Sequence, residues 1–256
     1  MKQSEILKRR NRISEYIQIH KSLSTIHACQ LFHVSDETIR KDFEYLDEMH
    51  IVKKMYGGAK LYINDETKPF NIRKDEHYLA KIAIAQRAAE MIPESGGFSI
   101  GLDMGTTFSI LAGYLAQRHD NLIITNSNAA MQQLIDSPNR VYVLGGEYDP
   151  ESRSFQGDIA IRALHQMTLD IAFIGTGGVR SQNGISTARF VDLQLKQEYI
   201  RRSQKKVVLT DSSKFTSTSL VEVAGWNEID TLITDSGIPE ETAEKLRNVL
   251  ELIIVS

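Results

Sequence analysis

A single cysteine, Cys29, is present in 256 residues, so no internal disulfide can form and a reducing compartment is the default. No run of about 18 apolar residues occurs, and no charged-then-apolar leader is found; a cytoplasmic protein without a membrane partner is expected. The seven histidines are scattered and show neither HExxH nor CxxC spacing, so no metal is assigned. A Walker-A loop is missing, as is a spaced GxGxxG with its downstream acid, which argues against an ATPase or a nicotinamide dehydrogenase. No GxSxG elbow supports a nucleophilic serine. Repeats, low-complexity tracts and coiled-coil heptads are missing too. The chain is long enough to bury a core unaided, in one large domain or two ordinary ones.

The net charge of −3 hides a split: residues 1–60 carry 11 Lys/Arg and 8 Asp/Glu, a balance of +3, and the remainder balances at −6. The basic segment holds the most informative stretch, Ser35 to Gly58. Ile39, Phe43 and Leu46 fall at the spacing of a buried helical stripe, leaving Thr38, Arg40, Lys41 and Glu44 on another face. Ser35 suits the N-cap, with Asp36 and Glu37 in the first turn where the helix dipole favours acids. Two earlier helices are expected: Ser4 to His20, with Ile6, Ile13 and Ile17 on one stripe, and a second capped by Ser24 and carrying Ile26, Leu31 and Phe32. Val34 plugs the core between helices. Ile51 to Ile63 reads as a hairpin around Gly57-Gly58. The pattern is a recognition helix followed by a wing. Arg40 and Lys41 are the candidate base-edge or phosphate contacts, Ser35 and Thr38 phosphate contacts, and Lys53, Lys54, Tyr56, Gly57 and Gly58 the wing that follows the DNA backbone.

Asn64 to Arg73 is polar, contains Pro69 and lacks a clear period, which places a linker there. The expected division is 1–62 for a winged helix-turn-helix, 63–75 for the linker and 76–256 for an effector-binding and oligomerisation domain. In that last part short apolar runs alternate with helices: Phe98 to Leu102, Leu122 to Thr125, Val141 to Leu144, Ile171 to Ile174, Lys206 to Thr210, Thr231 to Thr234 and Leu252 to Val255. Strands buried on both faces imply a doubly wound, mostly parallel α/β sheet. The following loops carry Asp103, Gly105, Thr106 and Thr107; Thr125, Asn126 and Ser127; Gly145 and Gly146; and Gly175 to Gly178. Small and hydroxyl residues at carboxyl ends suit a phosphorylated small molecule. Any one such loop is ordinary turn and cap chemistry, but four together favour a site. Lys196 and Lys214 lie where both can reach that edge.

These residues resemble the DeoR family of bacterial transcriptional regulators over essentially the whole chain. The resemblance rests on Val34-Ser35-Asp-Glu-Thr38-Ile39-Arg40-Lys41-Asp42-Phe43 and the wing Gly57-Gly58-Ala59. It continues through Asp103 to Thr107, Thr125 to Ser127, Leu144 to Gly146, Phe173 to Gly175, Asp211 to Phe215 and Leu232 to Asp235. It implies a winged helix-turn-helix joined to a domain similar to ribose-5-phosphate isomerase. The implied function is repression of sugar-catabolism genes under control of a phosphorylated sugar, by a homo-oligomer, dimer or tetramer, on double-stranded operator DNA. Asp103, Gly105 to Thr107, Thr125 to Ser127, Gly145, Gly146, Gly178, Lys196 and Lys214 are then the effector residues, Asp103 accepting from a sugar hydroxyl. Two positions depart from the family: His50 replaces a glycine, and Tyr56 a histidine. The isomerase likeness supplies the alternative of a phosphosugar isomerase. Where those enzymes carry their glutamate base this chain has Lys196, an ammonium that cannot abstract the proton, and Lys214 matches their lysine. Asp192 and Glu198 are the carboxylates left nearby. A regulator, not an enzyme, and no cofactor are therefore expected.

Overall fold

A computed structural model describes residues 3–48, 52–61, 68–179 and 183–256. Its contacts divide the chain into two compact units, Met1–Ile63 and Asn64–Ser256. The first contains α1 (Gln3–His20), β1 (Ser22–Ser24), α2 (Thr25–Phe32), α3 (Asp36–Glu48), β2 (Val52–Met55) and β3 (Gly58–Leu61). Ile13 and Ile17 of α1 meet Ile39, Phe43 and Leu46 of α3, with Val34 packed at the margin. Ser24 caps α2 by accepting from the His27 amide at 3.2 Å. The buried side of α2, however, is Thr25 and Ala28; Ile26 is 75 % and Leu31 37 % exposed. Ile26 and Leu31 are five residues apart, about 140° around the helix, and neither lies on the face that carries Thr25 and Ala28. His50 lies outside the described residues.

The hairpin is a three-stranded sheet in the order β1-β3-β2, all antiparallel. Sequence reading missed β1 because three residues carry no usable period. The paired glycines divide two tasks. Gly57 occupies a positive φ of 79° in the turn, whereas a Cβ on Gly58 would lie 2.5 Å from the Leu23 carbonyl oxygen. The strand that sequence analysis overlooked is thus what the second glycine accommodates.

The second unit opens with α4 (Phe70–Asp75) and α5 (Tyr78–Ala89), then β4 (Ser99–Leu102), α6 (Thr106–Leu115), β5 (Leu122–Thr125), α7 (Asn128–Leu134) and β6 (Arg140–Val143). A hairpin, β7 (Glu147–Asp149) and β8 (Ser154–Gln156), leads to α8 (Asp158–His165), β9 (Leu169–Gly175) and β10 (Gly184–Thr187). The chain ends with α9 (Phe190–Arg202), β11 (Ser203–Leu209), β12 (Val221–Gly225), β13 (Thr231–Asp235), α10 (Glu240–Arg247) and β14 (Glu251–Val255). Seven strands form one sheet in the order β14-β13-β11-β9-β4-β5-β6, and every neighbouring pair is parallel. Strand residues alternate between two cores: Ile100, Leu102, Ile171 and Phe173 pack with α5, α6 and α7, while Ala172, Ile174 and Val208 pack with α8, α9 and α10. Apolar residues on both faces explain the unbroken apolar runs.

The segment 63–75 contains a short helix. Residues 70–75 form α4, with Phe70 buried, its amide donating to the Glu151 carbonyl at 2.8 Å and the Arg153 guanidinium 5.1 Å from its ring centroid. Lys81 donates to the Arg73 and Glu76 carbonyls at 2.5 Å each, satisfying the end of the helix. One aromatic anchor on six residues leaves no period to read.

The two glycines of the hairpin should therefore respond unequally to a methyl group. G57A costs about 1 kcal/mol of left-handed strain, and G58A about 3 kcal/mol because two backbones must separate; urea titration followed by circular dichroism ranks them.

Candidate functional sites

In the first unit the predicted contact residues occupy one exposed tract. Ser35 accepts from the Thr38 amide at 3.4 Å, and the two hydroxyls lie 2.9 Å apart. Arg40 and Lys41 project from the next turn, Lys53 and Lys54 are exposed on β2, and Tyr56 and Gly57 stand at the hairpin tip. Gly58 is buried beside β1, unlike the other residues of the tract. Three of the four cations are engaged by acids: Arg40 Nε reaches Asp36 at 2.5 Å, Lys41 reaches Glu37 at 2.7 Å, and Lys54 reaches Glu44 at 2.5 Å. These hydrogen bonds hold the Arg40 and Lys41 pKa values above, and the Glu37 and Glu44 values below, their ordinary ranges.

Sequence analysis gave no role to Asp42, which is 1 % exposed on the inner face of α3. It accepts from Arg9 Nε at 2.6 Å and Arg10 Nε at 2.9 Å, and the Arg10 guanidinium lies 3.8 Å from the Tyr45 ring centroid. A buried carboxylate requires such partners. The pair of arginines fixes α1 against the helix that carries Arg40 and Lys41.

In the second unit the strand order reverses between β4 and β9, where an open parallel sheet leaves a crevice at its carboxyl edge. Asp103 ends β4 there. Its Oδ1 accepts the Met104 amide at 2.8 Å; its Oδ2 accepts the Gly175 amide at 2.9 Å and the Lys196 ammonium at 2.5 Å. Lys196 also donates to the Gly175 carbonyl at 3.0 Å. Both charged side chains are almost wholly buried. The expected separate roles of Lys196 and Asp103 are thus joined in one ion pair.

The other predicted residues sort into two groups. Gly105, Thr106 and Thr107 start α6 beside Asp103, with the two threonines buried; Gly145 and Gly146 follow β6; and half-buried Lys214 lies in the 3-10 turn Ser212–Thr216. Asn126 donates through Nδ2 to the Phe155 carbonyl at 3.1 Å, and its buried Oδ1 has no hydrogen-bond partner. Thr125, Ser127 and Gly178 are absorbed by the fold. Thr125 Oγ1 donates to the Leu102 carbonyl at 2.8 Å, Ser127 Oγ accepts the Ala130 amide at 3.1 Å as a helix cap, and a Cβ on Gly178 would lie 2.5 Å from the Ser217 carbonyl oxygen. Turn and cap chemistry explains those three.

Sequence analysis also missed Arg189. Its Nη1 reaches Asp149 at 2.5 Å, and its Nε and Nη2 grip both oxygens of Asp192 at 2.8 and 3.0 Å. Burial works against this cation, but the two carboxylates hold its pKa well above the ordinary value. Asp149 is the reciprocal case: burial pushes its carboxyl up, and bonds from Ser152, Arg189 and the Glu151 amide bring it below the usual range. Burial, followed by the charge of Asp103, keeps the Tyr199 phenol protonated far above its ordinary pKa, so its hydroxyl donates to the Leu102 carbonyl at 3.2 Å. Arg189, Asp192, Lys196 and Tyr199 stand at i, i+3, i+7 and i+10 around α9, a helical spacing of polar residues that was the available sequence signal.

Of the carboxylates considered for isomerase chemistry, Asp192 is clasped by Arg189. Glu198 turns to Arg202 at 2.7 Å, His165 at 2.8 Å and Arg201 at 3.2 Å. Each is engaged elsewhere, so the arrangement suits holding a ligand better than taking a proton from carbon. Among the described residues no group of His, Cys, Asp and Glu is placed to hold a metal ion, and no helix is long and apolar enough to cross a membrane.

A winged helix-turn-helix on one unit and a buried polar cluster at the sheet reversal of the other define a two-domain DNA-binding transcriptional regulator. The chain belongs to the DeoR family. The DeoR-like helix-turn-helix domain matches residues 9–65 and the DeoR C terminal sensor domain residues 76–236. It is 32 % identical over 246 residues to the HTH-type transcriptional repressor GlcR of Bacillus subtilis, covering 94 % of this chain and 93 % of that one. To the putative aga operon transcriptional repressor of Escherichia coli O157:H7 it is 30 % identical over 254 residues, covering 96 % and 93 %. A D-ribose-5-phosphate isomerase in complex with phospho-erythronic acid aligns over 52 % of either chain at 18 % identity and a TM-score of 0.38, too distant a likeness to carry substrate or chemistry.

Two outcomes follow from these charges. K196M leaves Asp103 buried without its cation and costs about 3–5 kcal/mol; D103N/K196M recovers part of that loss, as a double-mutant cycle by urea titration shows. Because the folded pKa of Asp149 lies below its ordinary 3.8, its contribution is complete above that value and disappears as pH falls through the folded one. The melting temperature of D149N should therefore fall less steeply than wild type in that acid range.

Proposed function

We infer that this regulator is a cytoplasmic repressor of sugar-catabolism genes whose grip on its operator is set by a phosphorylated sugar. The observation that carries the reading is the buried Asp103–Lys196 pair at the reversal of strand order. It is flanked by the start of α6, by the Gly145-Gly146 loop and by Asn126, whose unpartnered oxygen asks for a donor such as a sugar hydroxyl. Lys214 and Lys196 supply positive charge for the phosphate, and the free acceptor position of Asp103 Oδ1 takes a second hydroxyl. The relatives named as repressors support the same direction of control.

On the DNA side, Arg40 and Lys41 take base edges or phosphates, Ser35 and Thr38 take phosphates, and Lys53, Lys54, Tyr56 and Gly57 follow the backbone as a wing. Residues 1–62 act as the reading domain, 63–75 as the connection and 76–256 as the sensing and oligomerising domain. Two copies in a dimer or tetramer place two wings on paired half-sites. The ligand releases DNA only by preferring the conformation that cannot span both half-sites.

R40A should weaken binding to a duplex selected from a random pool by the wild type by about 1–3 kcal/mol, read by filter binding. A thermal-shift screen of pentose and hexose phosphates should give one that raises the melting temperature by mass action and lowers affinity for that duplex. A sugar phosphate that binds tightly and leaves DNA affinity unaltered removes the switch.

A further inference from the structure

On the exposed face of α3 and its neighbouring strand most of the cations are held by carboxylates. Three cations, Arg40, Lys41 and Lys54, meet three carboxylates, Asp36, Glu37 and Glu44, at 2.5 to 2.7 Å. All six side chains are more than a third exposed, from 38 % for Lys54 to 79 % for Glu37. Exposed pairs of this kind contribute little to folding, so beyond the favourable place of Asp36 and Glu37 in the first turn of α3, stability gives little reason for three of them on one small surface. The buried part of α3 is already secured by Ile39, Phe43, Leu46 and the Arg9–Asp42–Arg10 cluster.

The cost of the arrangement falls on DNA binding. Three cations free to meet phosphates would attract any duplex, because the phosphate charge is the same for every sequence. With the acids present, a phosphate must first displace a carboxylate and then lie beside it. On a matching sequence the same carboxylates have partners, since they accept hydrogen bonds from the cytosine amino group in the major groove. We propose that Asp36, Glu37 and Glu44 are specificity-determining residues of the reading head, which penalise approach to unmatched DNA and leave matched DNA comparatively unpenalised. This inference rests on the reading that α3 meets DNA and adds which of its side chains set the discrimination.

The test compares full-length wild type with D36N/E37Q/E44Q on two duplexes, one of random sequence and one selected from a random pool by the wild type, over a range of salt concentrations. The expected result is at least tenfold tighter binding of the variant to the random duplex. Its plot of log affinity against log salt should be steeper by about two to three, as the released cations take phosphates. The ratio of selected to random affinity should fall at least fivefold. A gain shared equally by both duplexes, or a change below twofold on the random one, overturns the proposal. The control E240Q/E241Q/E244Q removes the same charge from α10 and should leave the ratio intact; an equal fall there also overturns it. R40A/K41A separates the underlying reading. If it leaves affinity for both duplexes unchanged, α3 is not the contact surface; if it weakens both while the carboxylate variant does nothing, only the present proposal fails. E44Q alone, placed in mid-helix and away from the first-turn acids, should raise random-duplex affinity about threefold and decides the matter should the triple variant fold poorly.

Discussion

Asp103 joins the two halves of the sensor domain at the place where its sheet changes direction. One oxygen closes the turn after β4 through the Met104 amide, and the other ties that turn to β9 through the Gly175 amide and to α9 through Lys196. A carboxylate this deeply buried is tolerable only with such a full set of donors. The surroundings depend on it: Gly105 begins α6 two residues later, Tyr199 packs beneath with its hydroxyl on the Leu102 carbonyl, and Arg189 and Asp192 lie along the same face of α9. A ligand at this edge meets a polar floor that is already ordered, so little of its binding energy is spent on arranging side chains.

Both units combine buried ion pairs with exposed ones. In the sensor domain the buried pairs fix geometry, as at Asp103–Lys196 and at Arg189 with Asp149 and Asp192, while pairs such as Lys245–Glu241 lie on the surface. Within the DNA-reading unit Asp42 and its two arginines act likewise, while the outer face of α3 carries weak, exchangeable pairs that water and salt can compete for. A rigid interior with a labile exterior suits a surface that must trade one set of anionic partners for another.

Much of the architecture was legible from residue pattern. All seven strands of the main sheet were marked by apolar runs; the five inner ones are buried on both faces, while the edge strands β6 and β14 are only partly buried. The stripe Ile39, Phe43 and Leu46 gave α3 its orientation. Short elements outside the main sheet and the wing were not legible: β1, the β7–β8 and β10–β12 pairs and α4 carry neither an apolar run nor a period, and tertiary contacts such as the Phe70 amide on the Glu151 carbonyl decide them. At the crevice, position on the chain found Asp103 and Lys196 but not their pairing, which spans 93 residues. Thr125, Ser127 and Gly178, expected as ligand residues, also serve the fold, because the same small and hydroxyl side chains close turns and cap helices. Arg189 was overlooked because it follows a turn with no glycine signature.

The order of strands also has a consequence in time. β4 emerges early and pairs with β5 and β6 on one side, but its other side waits for β9; Asp103 and Gly175 are 72 positions apart, and Asp103 and Lys196 are 93. At synthesis rates of about 5–20 residues per second, the later partner arrives roughly 5–19 seconds after the carboxylate. For that interval the nascent chain carries a half-built sheet with an open apolar edge and an acid still dependent on water, while the short-range contacts of the N-terminal unit are already complete. The part that reads DNA is finished before the part that governs it, and the centre of the sensor is the last place in that half-built sheet to lose contact with solvent.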